Sequence, residues 1–209
     1  MPKGSVELTN VRKEEIIAAC RKLYETMSFK DITLKEIGQQ TSFTRTSIYN
    51  YFETKEEIFL ALFAQEYELF TEDLYRLCEQ NETLSMDALS SALAHALENR
   101  PLMLKLLSMN LYDMESNSRM ERLVAFKTAY GKSKDALDYC LKKFIPGMGE
   151  QRRQTFLYAF LPFVYGLYPY TMVTEKQKQA MKEAGISYVY MSTYEMAYVF
   201  IRTLLGGLQ

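Results

Sequence analysis

The chain has 209 residues, of which 48% are hydrophobic and 24% charged, and this balance excludes a wholly disordered protein. Its 25 Lys and Arg and 26 Asp and Glu give a formal net charge of −1, which excludes a uniformly basic nucleic-acid binder. Because Cys20, Cys78 and Cys140 lie far apart with no C-x-x-C pair, we expect reduced, buried thiols, no metal site and no cofactor.

The sequence pattern of the first quarter of the chain predicts three short helices. An apolar stripe at helical spacing predicts a first helix over about 11–27, with Asn10 as its N-cap. A threonine followed three residues later by glutamate predicts a second helix over 33–40. After a tight turn, a second threonine begins a third predicted helix, 44–51.

The rest of the chain also has helical periodicity. We expect further helices over 55–79, 86–97, 101–107, 118–144, 154–174 and 192–207. There is no repeat and no alternating strand pattern longer than a few residues. The predicted fold class is therefore all-α.

One of these segments, 154–174, is long enough that a membrane-spanning helix must be considered. Its residues carry no charge, but they contain two prolines and four tyrosines, and the tyrosine hydroxyls would find no hydrogen-bond partners in hydrocarbon. The N-terminus lacks the apolar core of a signal peptide. We therefore expect a buried helix, no membrane association and a cytoplasmic protein.

A helix, a tight turn and a second helix between Thr33 and Tyr51 form a helix-turn-helix, which places its second helix in the major groove. The segment 37–59, IGQQTSFTRTSIYNYFETKEEIF, resembles the DNA-binding signature of the tetracycline-repressor (TetR) family. Phe43 and Thr44 stand for the apolar and capping residues of that signature. The aromatic run of 48–52 and the Lys-Glu pair that follows match its remaining part.

The resemblance implies a ligand-responsive transcriptional regulator, usually a repressor. It predicts a three-helix helix-turn-helix domain over 1–53, followed by a helical ligand-binding and dimerisation bundle over 54–209. The implied partners are a double-stranded, pseudo-palindromic DNA operator, a small-molecule effector and a second copy of the chain. Helices 154–174 and 192–207 hold more apolar surface than one bundle needs, so we expect them to form the homodimer interface.

Nine residues are candidates for DNA contact. Thr33 and Thr44 lie at helix N-termini, which attract phosphate. The expected further phosphate donors are Tyr49, Tyr51 and Lys55, and the expected base-reading residues are Arg45, Thr46, Ser47 and Asn50. Ser42 replaces the glycine of the family's turn, and a positive φ there would cost about 1 kcal/mol.

The expected effector pocket lies between the middle helices of the bundle. Its candidate lining residues are Met103, Leu107, Phe126, Tyr130, Phe160 and Phe163, which favour an apolar or aromatic ligand. The alternative is that these side chains fill one another's space. The long fourth helix, 55–79, is expected to transmit the ligand's effect to the DNA-binding helices.

Two other classes of function remain open at this point. One is a helical small-molecule-binding module without sequence-specific DNA binding. The other is an enzyme, but the chain has one histidine, no G-x-S-x-G and no glycine-rich phosphate loop. We therefore predict no catalytic residue.

Overall fold

The structure of the protein, a computed structural model, describes residues 3–109 and 111–207. Over these residues the chain forms helices joined by turns, with no β-strand, which confirms the all-α fold. The helices are α1 (Lys3–Thr26), α2 (Leu34–Gln39), α3 (Arg45–Ile48), α4 (Lys55–Gln80), α5 (Met86–Glu98), α6 (Pro101–Leu107), α7 (Leu111–Ser116), α8 (Met120–Phe144), α9 (Glu150–Thr171), α10 (Glu175–Glu183) and α11 (Thr193–Gly207).

Side-chain caps fix where several helices begin. Thr33 is the N-cap of α2, and its hydroxyl accepts a hydrogen bond from the backbone N–H of Lys35 at 3.2 Å. At the start of α11, Ser192 and Glu195 exchange side-chain-to-backbone hydrogen bonds at 2.8 and 3.1 Å. These side chains satisfy N–H groups that have no partner inside the helix, so both predicted starts are confirmed.

Two of the predicted N-terminal helices have different boundaries. α1 begins at Lys3, before the predicted start, and Asn10 lies inside it, so the prediction of Asn10 as an N-cap is wrong. A preferred capping residue does not end a helix by itself, and residues 3–10 contain no proline that would. α3 ends at Ile48 instead of about residue 51, because the chain closes a turn there.

Two short helices, α7 and α10, were not predicted. No residue of α10 is buried, so no apolar stripe marks it in the sequence. The available signal was the capping box formed by Thr174 and Gln177. The predicted helix 154–174 corresponds to α9, which contains Pro162 and Pro169.

No single described helix is long and apolar enough to cross a bilayer. α9 and α10 together satisfy length and composition, but they are bent by 83° at the break between them. Within α9, Phe156, Phe160 and Leu167 are buried.

The described residues form two compact units. The N-terminal unit comprises described residues within 1–66 and 110–130, and the C-terminal unit those within 67–109 and 131–209. α4 and α8 each contribute residues to both units. The predicted boundary after residue 53 stays a prediction.

Each unit has its own apolar core. Fully buried residues of the N-terminal unit include Ile16, Cys20, Ile37, Ile48, Ile58, Phe59 and Phe63. Those of the C-terminal unit include Leu89, Leu93, Leu97, Leu106, Cys140, Leu141, Phe156 and Ile201. Cys20, Cys78 and Cys140 are buried free thiols, as predicted.

Candidate DNA interface

The recognition segment, residues 44–52, is held on the N-terminal unit by three buried side chains. Ile48, Tyr51 and Phe52 are 0%, 9% and 1% exposed. Because α3 has only four residues, it has little stability of its own, and its orientation depends on tertiary contacts. The buried side chains therefore determine which residues of the segment face outward.

The close approach of α2 and α3 depends on Gly38. A Cβ atom at this position would lie 3.2 Å from the Cα of Arg45, which is tighter than an ordinary contact. A glycine therefore lets the two helices of the helix-turn-helix pack at this distance.

Six predicted DNA-contacting residues lie together in this segment with accessible side chains. Five are exposed, namely Thr44, Arg45, Thr46, Tyr49 and Asn50, and Ser47 is partly exposed. Arg45 Nη2 donates to the hydroxyl of Tyr49 at 3.4 Å, and the hydroxyls of Thr44 and Ser47 are 3.1 Å apart. This stretch offers cationic, hydroxyl, phenol and amide groups, which can bind phosphates and base edges.

Thr33 is exposed at the start of α2, but its hydroxyl already has two partners. It accepts the hydrogen bond from Lys35 N–H and donates to the carboxylate of Glu36. Glu36 lies at the predicted spacing, but it contacts the Thr33 hydroxyl, whereas in a capping box its carboxylate would accept from the backbone N–H of Thr33. The predicted phosphate contact of Thr33 stays a prediction.

Tyr51 and Lys55 hold the N-terminal unit together. The hydroxyl of Tyr51 accepts a hydrogen bond from Arg12 Nη1 at 3.3 Å. Lys55 Nζ donates to the carbonyl oxygens of Phe29 and Ile32 at 2.8 and 3.0 Å, and lies 4.2 Å from the ring centre of Phe29. These contacts give both residues a structural role, and their predicted phosphate contacts stay predictions.

Two residues of α1 support the turn of the helix-turn-helix, and sequence reasoning missed both. Glu15 accepts hydrogen bonds from the backbone N–H and the hydroxyl of Ser42, the latter at 3.1 Å. The guanidinium of Arg12 lies 5.6 Å from the ring centre of Phe43. No non-glycine residue within 3–109 or 111–207 has a positive φ, so the expected strain at Ser42 is wrong. The i,i+3 spacing places Arg12 and Glu15 on one face of α1, but no local pattern indicates that this face contacts the turn.

A buried carboxylate, that of Glu57, lies near the start of α4. Arg119 Nε and Nη2 donate to its two oxygens at 2.6 and 2.7 Å, and the backbone N–H groups of Arg119 and Glu53 donate at 3.0 and 2.9 Å. Burial raises the pKa of Glu57, but the hydrogen bonds from Arg119 and the two N–H groups outweigh burial and lower it from 4.5 to about 2. Glu57 is therefore ionised and paired at neutral pH.

The structure brings together only part of the predicted effector pocket. In the C-terminal unit, Met103, Leu107 and Phe160 line a cavity of about 20 Å³ with Tyr67, Phe70, Leu97, Ser133, Leu137, Leu161, Val164 and Tyr165. Typical ligand pockets hold roughly 300–1,000 Å³, so the side chains largely fill one another's space here.

The other three predicted lining residues lie elsewhere. Phe126 and Tyr130 belong to the N-terminal unit, where the ring of Phe126 packs 5.0 Å from that of Phe63. Phe163 stacks on Phe200, with ring centres 3.8 Å apart. Helical periodicity placed these residues on the right helices, but it does not determine which neighbour each ring contacts.

A larger groove of about 520 Å³ lies at the end of α9, where no site was predicted. Its lining residues are Pro169, Tyr170, Val173, Gln177, Ala180, Met181, Ala184, Tyr188 and Tyr190. Most of these side chains are apolar or aromatic, and most are exposed.

Two protein-family models match the chain. The model described as "Bacterial regulatory proteins, tetR family" matches residues 16–62, and "Tetracyclin repressor-like, C-terminal domain" matches residues 64–209. No curated protein sequence matches the chain closely enough to count as a relative.

Solved structures with a similar fold include three regulators named FadR, of which the one from Bacillus halodurans is described as a fatty acid degradation regulator. That from Bacillus halodurans has 14% identity and a TM-score of 0.59, covering 95% of this chain and 96% of its own. The Bacillus subtilis protein, in complex with stearoyl-CoA, has 15% identity and a TM-score of 0.59, with 94% and 99% covered. The Thermus thermophilus protein, in complex with lauroyl-CoA, has 19% identity and a TM-score of 0.58, with 95% of both chains covered.

Proposed function

This chain belongs to the TetR family of ligand-responsive, DNA-binding regulators, and we propose that it is a repressor that binds a pseudo-palindromic operator as a homodimer. The observation that carries this proposal is that the side chains of 44–47, 49 and 50 are accessible while those of Ile48, Tyr51 and Phe52 are buried. Because the buried side chains fix the orientation of this segment, its exposed side chains keep one constant arrangement. Sequence-specific contact with base edges requires that constancy.

The proposed roles within this stretch differ by chemistry. Arg45 and Asn50 are the strongest candidates for base reading, because guanidinium and amide groups form paired hydrogen bonds with guanine and adenine edges. Thr46 and Ser47, which have shorter side chains, contact base edges next to those read by Arg45 and Asn50. Thr44 and Tyr49, with Thr33, Tyr51 and Lys55 as weaker candidates, bind phosphates.

The proposed effector is a small molecule with a large apolar part. The cavity in the C-terminal unit is lined mainly by apolar side chains, and two FadR proteins of similar fold were solved with acyl-CoA molecules. A cavity of about 20 Å³ must expand to admit such a ligand, so binding selects a conformation different from the present one. α4 is the proposed transmitting element, because Tyr67 and Phe70 line the cavity while Glu57 precedes them on the same helix.

The test of the proposed switch is a pair of titrations with lauroyl-CoA. Its affinity is measured by calorimetry for the free protein and for the protein saturated with a DNA duplex selected by that protein from a random pool. An inducer with a coupling of about 1–3 kcal/mol should bind about 5–150-fold more weakly in the presence of the duplex. Equal affinities would show that lauroyl-CoA is not an inducer of this protein.

We further propose that the chain has no enzymatic activity and works in the cytoplasm, where its DNA would be. A helical binding module without DNA activity is the competing function. Such a module would enrich no sequence from a random pool of duplexes, whereas a repressor enriches one.

A further inference from the structure

The end of the recognition segment is held by residues from a distant part of the chain. Arg122 Nη2 donates to the carbonyl oxygen of Tyr51 at 2.6 Å, and Arg119 Nη2 lies 3.5 Å from the same oxygen. The guanidinium of Arg122 also lies 4.9 Å from the ring centre of Phe52. Both arginines belong to the N-terminal unit, although they follow the recognition segment by about 70 residues.

A second set of contacts joins the same two parts of the chain. Arg119 holds the buried carboxylate of Glu57 with two guanidinium hydrogen bonds and one from its backbone. The hydroxyl of Thr54 donates to the carbonyl oxygen of Asn117 at 2.9 Å. The residues that connect α3 to α4 are therefore fixed to the segment that enters α8.

These contacts lie just beyond α3, which has four residues and therefore little stability of its own. The backbone N–H of Tyr51 closes a turn on the carbonyl oxygen of Ile48, and the arginines hold the carbonyl oxygen on the other side of Tyr51. A guanidinium suits this position, because its planar fork can reach a carbonyl and a carboxylate at the same time. The ammonium of a lysine keeps the charge but cannot reproduce this geometry.

We infer that Arg119 and Arg122 are positioning residues for DNA recognition, which hold the end of the recognition segment in the orientation that presents Arg45 and Asn50. The inference rests on the proposed function of those two residues. It also means that the DNA-binding unit is not contiguous in sequence, because both arginines lie in the region that matches the C-terminal family model.

The first test needs no DNA. Hydrogen exchange of the full-length protein is compared between the wild type, Arg122→Lys and the matched control Arg153→Lys. In the C-terminal unit, Arg153 likewise contacts a carboxylate and a carbonyl, those of Asp138 and Met148, both at 2.7 Å. Arg122→Lys should speed exchange at the amides of 48–52 about tenfold, and Arg153→Lys should leave these amides unchanged.

The second test measures DNA binding with the duplex selected by the wild type and with the random pool. Arg122→Lys should bind the selected duplex at least about tenfold more weakly, with affinity for the pool and its salt dependence unchanged, because the charge is kept. Arg119→Lys should do the same. At Glu57, Arg122→Lys keeps the hydrogen bonds from Arg119 and removes only a 4.0 Å contact of Arg122 Nε with the carboxylate, so it is the milder of the two substitutions.

Three outcomes would overturn the inference. They are unchanged exchange at residues 48–52 in Arg122→Lys, the same change in Arg153→Lys, or an equal loss of binding to the selected duplex and to the pool. If the wild type itself enriches no sequence, the proposed function fails. The exchange measurement then still decides whether the arginines hold the segment.

Discussion

Acid should weaken the protein in part through the buried carboxylate of Glu57. This residue is 0% exposed, and its pKa is lowered from 4.5 to about 2, chiefly by Arg119 against the opposing effect of burial. A pKa lowered by folding contributes stability that is complete above the unfolded value and is lost as the pH falls through the folded value. At about 1.4 kcal/mol per pKa unit, the contribution at pH 7 is about 3 kcal/mol, of which about 2 kcal/mol is lost by pH 3.

The assay is urea unfolding of the full chain between pH 7 and pH 3, for the wild type and Glu57→Gln. The amide introduced by this substitution cannot ionise, so the difference in the free energy of unfolding between the two proteins should shrink by about 2 kcal/mol across this range. Glu68→Gln removes an exposed carboxylate from the same helix and should unfold like the wild type at every pH. A difference between the wild type and Glu57→Gln that stays constant from pH 7 to pH 3 would refute the reasoning.

Three further substitutions test other parts of the structure. Lys55→Met should lower the free energy of unfolding by about 2–4 kcal/mol, because it removes two charged hydrogen bonds to the carbonyls of Phe29 and Ile32; unchanged urea unfolding would contradict this structural role. Asn50→Ala should weaken binding to the selected duplex by about 1–3 kcal/mol and relax the preference at one base pair, as measured with single-base variants of that duplex; an equal loss on random DNA would exclude base reading. Val199→Glu places a charge on an exposed apolar position of α11, and light scattering should show a shift from dimer to monomer; a dimer of undiminished stability would place the interface elsewhere.

Local patterns predicted the elements that lie close in sequence. The cap at Thr33 and the accessible stretch 44–50 follow from spacings of a few residues, which sequence displays directly. The contacts of Lys55 with the carbonyls of Phe29 and Ile32 were not predicted, because a long side chain can reach many partners and no local pattern identifies these two. Arg119 contacts Glu57 across 62 residues, a separation that no local pattern encodes.

The size of the cavity proposed for the effector could not be predicted either, for a different reason. Met103, Leu107 and Phe160 do converge, as their helical spacing indicated. The volume between them depends on how closely the rings and methyl groups pack. A difference of one methylene group is enough to change that packing. Sequence periodicity predicts which face of each helix is buried, but it does not predict the volume of the cavity between the buried faces.

The most direct test of the whole account is selection of duplexes from a randomised pool by the wild type and by Asn50→Ala. The account predicts that the wild type enriches two inverted half-sites, with centres about 10–10.5 base pairs apart or a multiple of that spacing. Asn50→Ala should enrich the same arrangement with one position in each half-site relaxed. A wild type that enriches no sequence, while retaining salt-dependent binding to the pool, would contradict the claim that residues 44–50 read DNA.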